Sequence, residues 1–201
     1  MKPTYRLSLH LPDWVSDYVE SGMNGTESRE ERMAFVIEMS RRNVTEGTGG
    51  PFAAAIFERE SGKLIAPGVN IVVPGNTSVA HAEMIAFMLA QQSLGTFDLG
   101  AAHLPAMELF ASSQPCIQCF GGTWWSGVQA LTIGARGEDV EEITGFNEGP
   151  LPDNWVQLLE TRPAPLRPIA VTRDLLRDEA RSVLQLYRDT GGFVYNAGSC
   201  S

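Results

Sequence analysis

Two residue types that dominate metal and redox centres are scarce in this sequence: three cysteines and three histidines among 201 residues. That scarcity excludes a disulfide framework and leaves few possible ligand sets. Basic residues are also in short supply, with 15 Lys and Arg against 24 Asp and Glu and a net charge of −9. This balance argues against a nucleic-acid partner, because binding a long polyanion draws on a basic surface that releases counterions. Arg41-Arg42 is the only adjacent basic pair. On a helix it reads as an exposed face or as a complement to the C-terminal dipole. No apolar run approaches the roughly 18 residues that cross a bilayer, and residues 1–10 lack the apolar stretch of a signal peptide. No membrane partner is expected, and the cysteine usage suits a reducing, cytoplasmic compartment. A hydrophobic content of 43% over this length suits one domain with a sizeable core.

What is present is concentrated in two short segments, His81-Ala82-Glu83 and Pro115-Cys116-Ile117-Gln118-Cys119. Cys116 and Cys119 are three apart, so on a helix they share a face and can grip one ion. Pro115 favours a helix start, and the positive end of a helix lowers a thiol's pKa toward the thiolate that zinc requires. His81 supplies a third ligand. Because residues two apart sit roughly 200° around a helix, His81 and Glu83 converge only if the ion lies off the first turn. Three ligands leave one tetrahedral position for water, the pattern of a catalytic Zn2+ site. Glu83 is then a carboxylate that does not bind the metal and can shuttle a proton. His10, His103 and Cys200 have no ligand spacing. A lone Cys-x-x-Cys also suits a redox pair, and a zinc module without catalysis is the competing class; an unligated glutamate beside the ion has no use in such a module.

Residues 1–25, with Tyr5, Trp14 and Tyr18 among Pro, Gly and Asn, read as a mostly irregular N-terminal arm. Residues 26–201 form the domain. Ser28 and Glu31 make a capping box for a helix to about Val44. Strands are expected over 52–59, 64–73 (bulged at Pro67-Gly68), 107–112, 130–135 and near Ile169, with helices after His81 and Pro115 and from about Ala180. The acidic run Glu138 to Glu142 reads as a solvated helix start. Such alternation predicts a three-layer α/β/α sandwich around a central mixed five-stranded sheet.

The stretch from about 28 to 196 resembles a known family in GGPFAAAIF, in Asn70 of GVN, in HAE, in PCIQCFGG with Trp125 following, and in GFNEGP. The H-x-E and P-C-x-x-C pair resembles the zinc-deaminase signature, and the flanking motifs are similar to the bacterial guanine deaminases of the cytidine-deaminase-like superfamily. The resemblance implies that His81, Cys116 and Cys119 bind zinc and that Glu83 shuttles the proton. It further implies that Asn70 hydrogen-bonds the purine, that the Ala82 backbone orients it, and that Phe52 and Trp125 pack around it. Glu148 would relay a proton to departing ammonia. The resemblance also implies a homodimer in which the C-terminal segment that holds Tyr195 closes the pocket and can be exchanged between subunits. The implied reaction is attack of activated water on C2 of guanine, protonation of N3 and release of ammonia to give xanthine. Amino-triazines such as ammeline present the same amidine edge. Read as residues alone, Phe52 suits core packing, only one of Trp124 and Trp125 can face a pocket, Asn70 suits a bulge, Glu148 an ordinary loop charge and Tyr195 a tail anchor. Cytosine, cytidine and tRNA adenosine remain alternative substrates.

Overall fold

The computed structural model describes Tyr5, residues 7–22 and residues 28–196; Cys200 lies outside them. The expected irregular arm is in fact helical over α1, Trp14–Gly22. Trp14, Val15, Tyr18 and Val19 recur with helical spacing, and that face docks onto the next helix. Tyr18 stacks on Phe35 at 4.9 Å, Arg42 lies over Tyr18, and Trp14 Nε1 donates to Thr48 Oγ1. Tertiary contact sustains a helix too short to persist alone.

Helix α2 spans Arg29–Thr45. Its capping box is present as the sequence predicts: Glu31 N–H donates to Ser28 Oγ at 3.2 Å and Ser28 N–H to Glu31 Oε2 at 2.7 Å. Strands β1 (Ala53–Glu58) and β2 (Leu64–Val69) form the expected antiparallel hairpin. The register shifts between Ile56 and Phe57, so the irregularity sits near the turn rather than at Pro67-Gly68. Helix α3 (Ala82–Leu94), strand β3 (Met107–Ser113), helix α4 (Ile117–Ser126) and strand β4 (Ala130–Ala135) follow. Helices α5 (Gly137–Thr144) and α6 (Trp155–Glu160), strand β5 (Ala170–Thr172) and helix α7 (Arg177–Asp189) complete the described chain.

The strand order is β2-β1-β3-β4-β5. β1 is antiparallel to both neighbours, while β3, β4 and β5 are parallel, which makes the sheet mixed and five-stranded. Side chains along β1 alternate between two cores. Ala53, Ala55 and Phe57 pack with α2, α5 and α7, whereas Ala54 and Ile56 pack with α3 and α6. Burial on both faces explains why the strand reads as a continuous apolar run. Gly68 on β2 faces the first turn of α3, where a Cβ would collide with the Ala82 carbonyl. Its lack of a side chain seats that turn, and therefore the adjoining His81, close to the sheet. The acidic run is less solvated than expected: Asp139 is buried, paired with Arg177 and Arg181, and accepts from Arg136 N–H.

Candidate active site

Helices α3 and α4 point their N-terminal ends at one place. His81 is the N-cap of α3 (φ −70°, ψ 155°) and Cys116 that of α4 (φ −66°, ψ 176°), and neither side chain caps its own helix. N-caps are usually Ser, Thr, Asp or Asn bonded back to the helix; here the extended cap conformation turns both side chains toward each other. Pro115 precedes the N-cap, so it sits outside the first helical position that the sequence suggests. Cys116 itself is extended, the usual conformation of an N-cap.

His81 Nδ1 lies 3.4 Å from Cys116 Sγ and 3.5 Å from Cys119 Sγ. Bond lengths of about 2.0–2.1 Å to nitrogen and 2.3 Å to sulfur, at tetrahedral angles, place such donors roughly 3.5 Å apart. The three donors therefore fit one Zn2+, with all ligand atoms within 4.8 Å of one another. Glu83, one residue into the same turn of α3, is buried and accepts from Cys119 Sγ at 3.2 Å. The ion position thus lies off the helix end, where His81 and Glu83 both reach.

The protein's own groups prepare the thiols. A hydrogen bond from Cys119 outweighs burial and, with His81, pulls Cys116 down to about 4. The same bond and burial push Cys119 well up, so the pair holds one proton, which metal ligation displaces. Burial opposes the charge on His81, but its Cys116 hydrogen bond and the surrounding negative groups raise it. Burial, then the Cys116 charge, pushes Glu83 up to about 7. A carboxyl poised near neutrality both accepts and returns a proton.

Above this floor opens a cavity of about 540 Å³. Phe52 and Phe146 meet edge to face at 5.4 Å, and Phe146 meets Tyr195 at 5.0 Å, giving aromatic walls. Asn70 is buried, donating from Nδ2 to Tyr195 Oη at 2.7 Å and accepting from Val72 N–H at Oδ1. Val72 N–H can only donate, so the amide orientation is fixed. Asn43, a buried side chain that sequence reasoning missed, donates to the carbonyls of both Gly50 and Asn70 and clamps that corner. Glu148 also lines the cavity, with its carbonyl accepting from Ile117 N–H at 2.9 Å. Burial, reinforced by the charges of Cys116 and Glu83, pushes Glu148 up to about 8. Gly149 follows at φ 81°, and a Cβ there would strike Ile117.

Phe52, Asn70, His81, Glu83, Cys116, Glu148 and Tyr195 thus share one cavity. Cys119 reaches the metal position from below the cavity, and two of the residues expected to touch substrate do not line it. Ala82 is buried against the sheet side of α3, and Trp125 is 77% exposed. Nine residues past Cys116, Trp125 lies roughly 13 Å along the axis of α4 from the metal end. Trp124 instead packs beside Phe120 and under Arg162. Phe146, Gln114 and Gln118 line the cavity without having been singled out. The signals for Phe146 and Gln118 were their places inside GFNEGP and between the two cysteines.

Residues 26–135 match the family model of the cytidine and deoxycytidylate deaminase zinc-binding region. The chain belongs to this family. The deaminase is 30% identical over 139 residues to guanine deaminase of Bacillus subtilis, spanning 69% of this chain and 84% of that one. The crystal structure of guanine deaminase from Nitrosomonas europaea superposes with a TM-score of 0.82 at 45% identity, covering 94% of this chain and 100% of the other. A related crystal structure holding 2,6-diaminopurine gives a TM-score of 0.83 at 48% identity, over 96% and 97%. Similarity of that extent places the deaminase fold on nearly the whole chain. Among the described residues, no helix is long and apolar enough to cross a membrane.

Proposed function

We propose that this zinc-dependent aminohydrolase converts guanine and water to xanthine and ammonia. The observation that carries the reading is a buried, non-ligating Glu83 beside the His81, Cys116 and Cys119 donor set, at the base of a cavity walled by Phe52 and Phe146. The guanine deaminases among its relatives supply the choice of base. When bound, zinc lowers the pKa of a water toward about 7 and so provides a nucleophile for C2 at neutral pH. Glu83 takes a proton from that water and delivers it to ring nitrogen N3. Glu148, held protonated near neutral pH by its burial, gives a proton to the departing amino group; ammonia leaves, and the C2 hydroxyl becomes the carbonyl by releasing its proton, which restores Glu148. Asn70 has one N–H and one lone-pair site left after its bonds to Tyr195 and Val72, and it offers both to the ring. Phe52 and Phe146 supply apolar surface for the planar base, and Tyr195 closes the pocket above it.

The same reading makes the chain a cytoplasmic homodimer with no nucleic-acid partner. Trp125 and Phe97 are 77% and 88% exposed. They stand on adjoining ends of α4 and α3, linked by Leu99 N–H to the Ser126 carbonyl. An apolar face of that kind is covered by a second copy. In this chain Tyr195 reaches its own pocket; in the dimer the segment around it reaches either its own pocket or its neighbour's. Ammeline, which carries the same amidine edge as guanine, is a secondary substrate. Ammonia release from guanine, adenine, cytosine, cytidine and ammeline tests the reading. Guanine is expected to be turned over most efficiently and ammeline more slowly. Turnover of cytosine or cytidine without guanine would overturn the assignment.

A further inference from the structure

Gln118 stands between the two metal-ligating cysteines and lines the cavity. Its Nε2 is shielded from solvent and has no hydrogen-bond partner among the described residues. Two other side-chain atoms share that condition, Ser40 Oγ and Arg162 Nε. Their surroundings differ. Ser40 is fully enclosed in α2, and Arg162 is anchored through its other nitrogen to the Trp124 carbonyl at 2.7 Å. Gln118 alone of the three borders the substrate cavity. Leaving a buried donor unpaired destabilises a fold, and a cavity is where a ligand atom can supply the missing acceptor.

The chemistry of the neighbours narrows which acceptor. The floor is acidic, with Glu83 and Glu148, so an uncharged donor there selects a neutral oxygen or nitrogen. In the proposed reaction Glu83 already serves N3. Asn70 has one of its two amide hydrogens committed to Tyr195. The strongest acceptor left on the six-membered ring of guanine is the 6-oxo oxygen, which carries two lone pairs and matches an amide N–H. We propose that Gln118 is a specificity-determining residue whose Nε2–H donates to the 6-oxo oxygen of the bound purine. The inference rests on guanine as substrate. It gives the segment between the cysteines a second task, so one helical turn holds the metal and reads the far side of the base. A site with a committed donor rejects rings that leave it unpaired.

The test compares KM for guanine with the competitive inhibition constant of 2-aminopurine, which has hydrogen in place of the oxo group. Neither constant depends on the fraction of protein carrying zinc. In Gln118→Leu, KM for guanine is expected to rise about 5- to 100-fold while the 2-aminopurine constant moves less than about threefold. Gln118→Met keeps the length of the side chain but has no donor, and it gives the same split if the leucine variant folds poorly. An unchanged KM for guanine, or an equal rise in both constants, would overturn the proposal. Lack of guanine turnover by the wild-type protein would instead remove the substrate assignment, and it is seen before any variant is made.

Discussion

His81, Glu83, Cys116 and Cys119 stand on the first turns of two helices seated against the sheet, whereas Glu148 and Tyr195 stand on chain without regular structure. The outer segments are tied mainly to each other and to the helix ends. Ile117 N–H donates to the Glu148 carbonyl, Asn147 N–H to Asn196 Oδ1, and Asn70 to Tyr195. Floor and wall therefore differ in what fixes them: helices seated on the sheet on one side, and on the other loop chain held by a few polar contacts and by Phe146 between Tyr187 and Tyr195. The metal donors and the first proton shuttle lie on the helix ends, and the loops add the second carboxyl, Glu148, and the Tyr195 contact to Asn70.

Removing the proton shuttle from the floor should have the largest effect. In Glu83→Gln, kcat is expected to fall by about 100- to 10,000-fold, with zinc content near one per chain by metal analysis. Loss of metal along with activity would show that Glu83 holds the floor together rather than moving a proton.

A wall substitution should be milder. Glu148→Gln is expected to lower kcat by about 10- to 100-fold and leave zinc in place. Its pH signature follows from linkage. Glu148 is raised from 4.5 in the unfolded chain to about 8 in the folded one, so its contribution to stability is full below the unfolded value and is lost as pH rises through the folded one. Thermal melts in chelator should therefore show the variant gaining on wild type between pH 5 and pH 9. A constant difference across that range would mean that this carboxyl is not raised in the folded chain.

Smaller again is Tyr195→Phe, which removes the partner of Asn70 Nδ2 and should raise KM about 3- to 10-fold with kcat nearly unchanged. A kcat defect as large as that of Glu148→Gln would move Tyr195 into the proton path. Trp125→Ala stands outside both regions. Steady-state kinetics should stay within about twofold of wild type, while sedimentation velocity shifts toward monomer. A large loss in kcat/KM with an intact dimer would place the indole at a pocket after all.

The floor was legible in the sequence because metal geometry constrains residue type and spacing together. His81, Glu83, Cys116 and Cys119 could be assigned before any fold was known. The mixed five-stranded sheet was legible, since five apolar runs of strand length alternate with helical segments, while the order β2-β1-β3-β4-β5 was not. Local details resisted. Trp14 and Tyr18 looked like scattered aromatics because their helix depends on Phe35 and Arg42, which belong to the next helix. The bulge was sought at a Pro-Gly pair, yet that glycine serves the approach of α3. Asp139 looked like one of several surface charges because its arginine partners come from α7. Trp125 was placed at the pocket by the family resemblance alone; in this chain the indole is exposed, beyond the far end of the cavity's helix turn. Phe146 gave no periodic signal, since it sits in a loop and gains its neighbours from β1 and the C-terminal segment.

The hydrogen bond from Ile117 to Glu148 joins two parts of the site that a ribosome makes at different times. His81, Cys116 and Cys119 leave the tunnel before Glu148, and Glu148 before Tyr195. A growing chain that folds from its N-terminus can therefore hold the whole donor set while the loops that will face it are still being made.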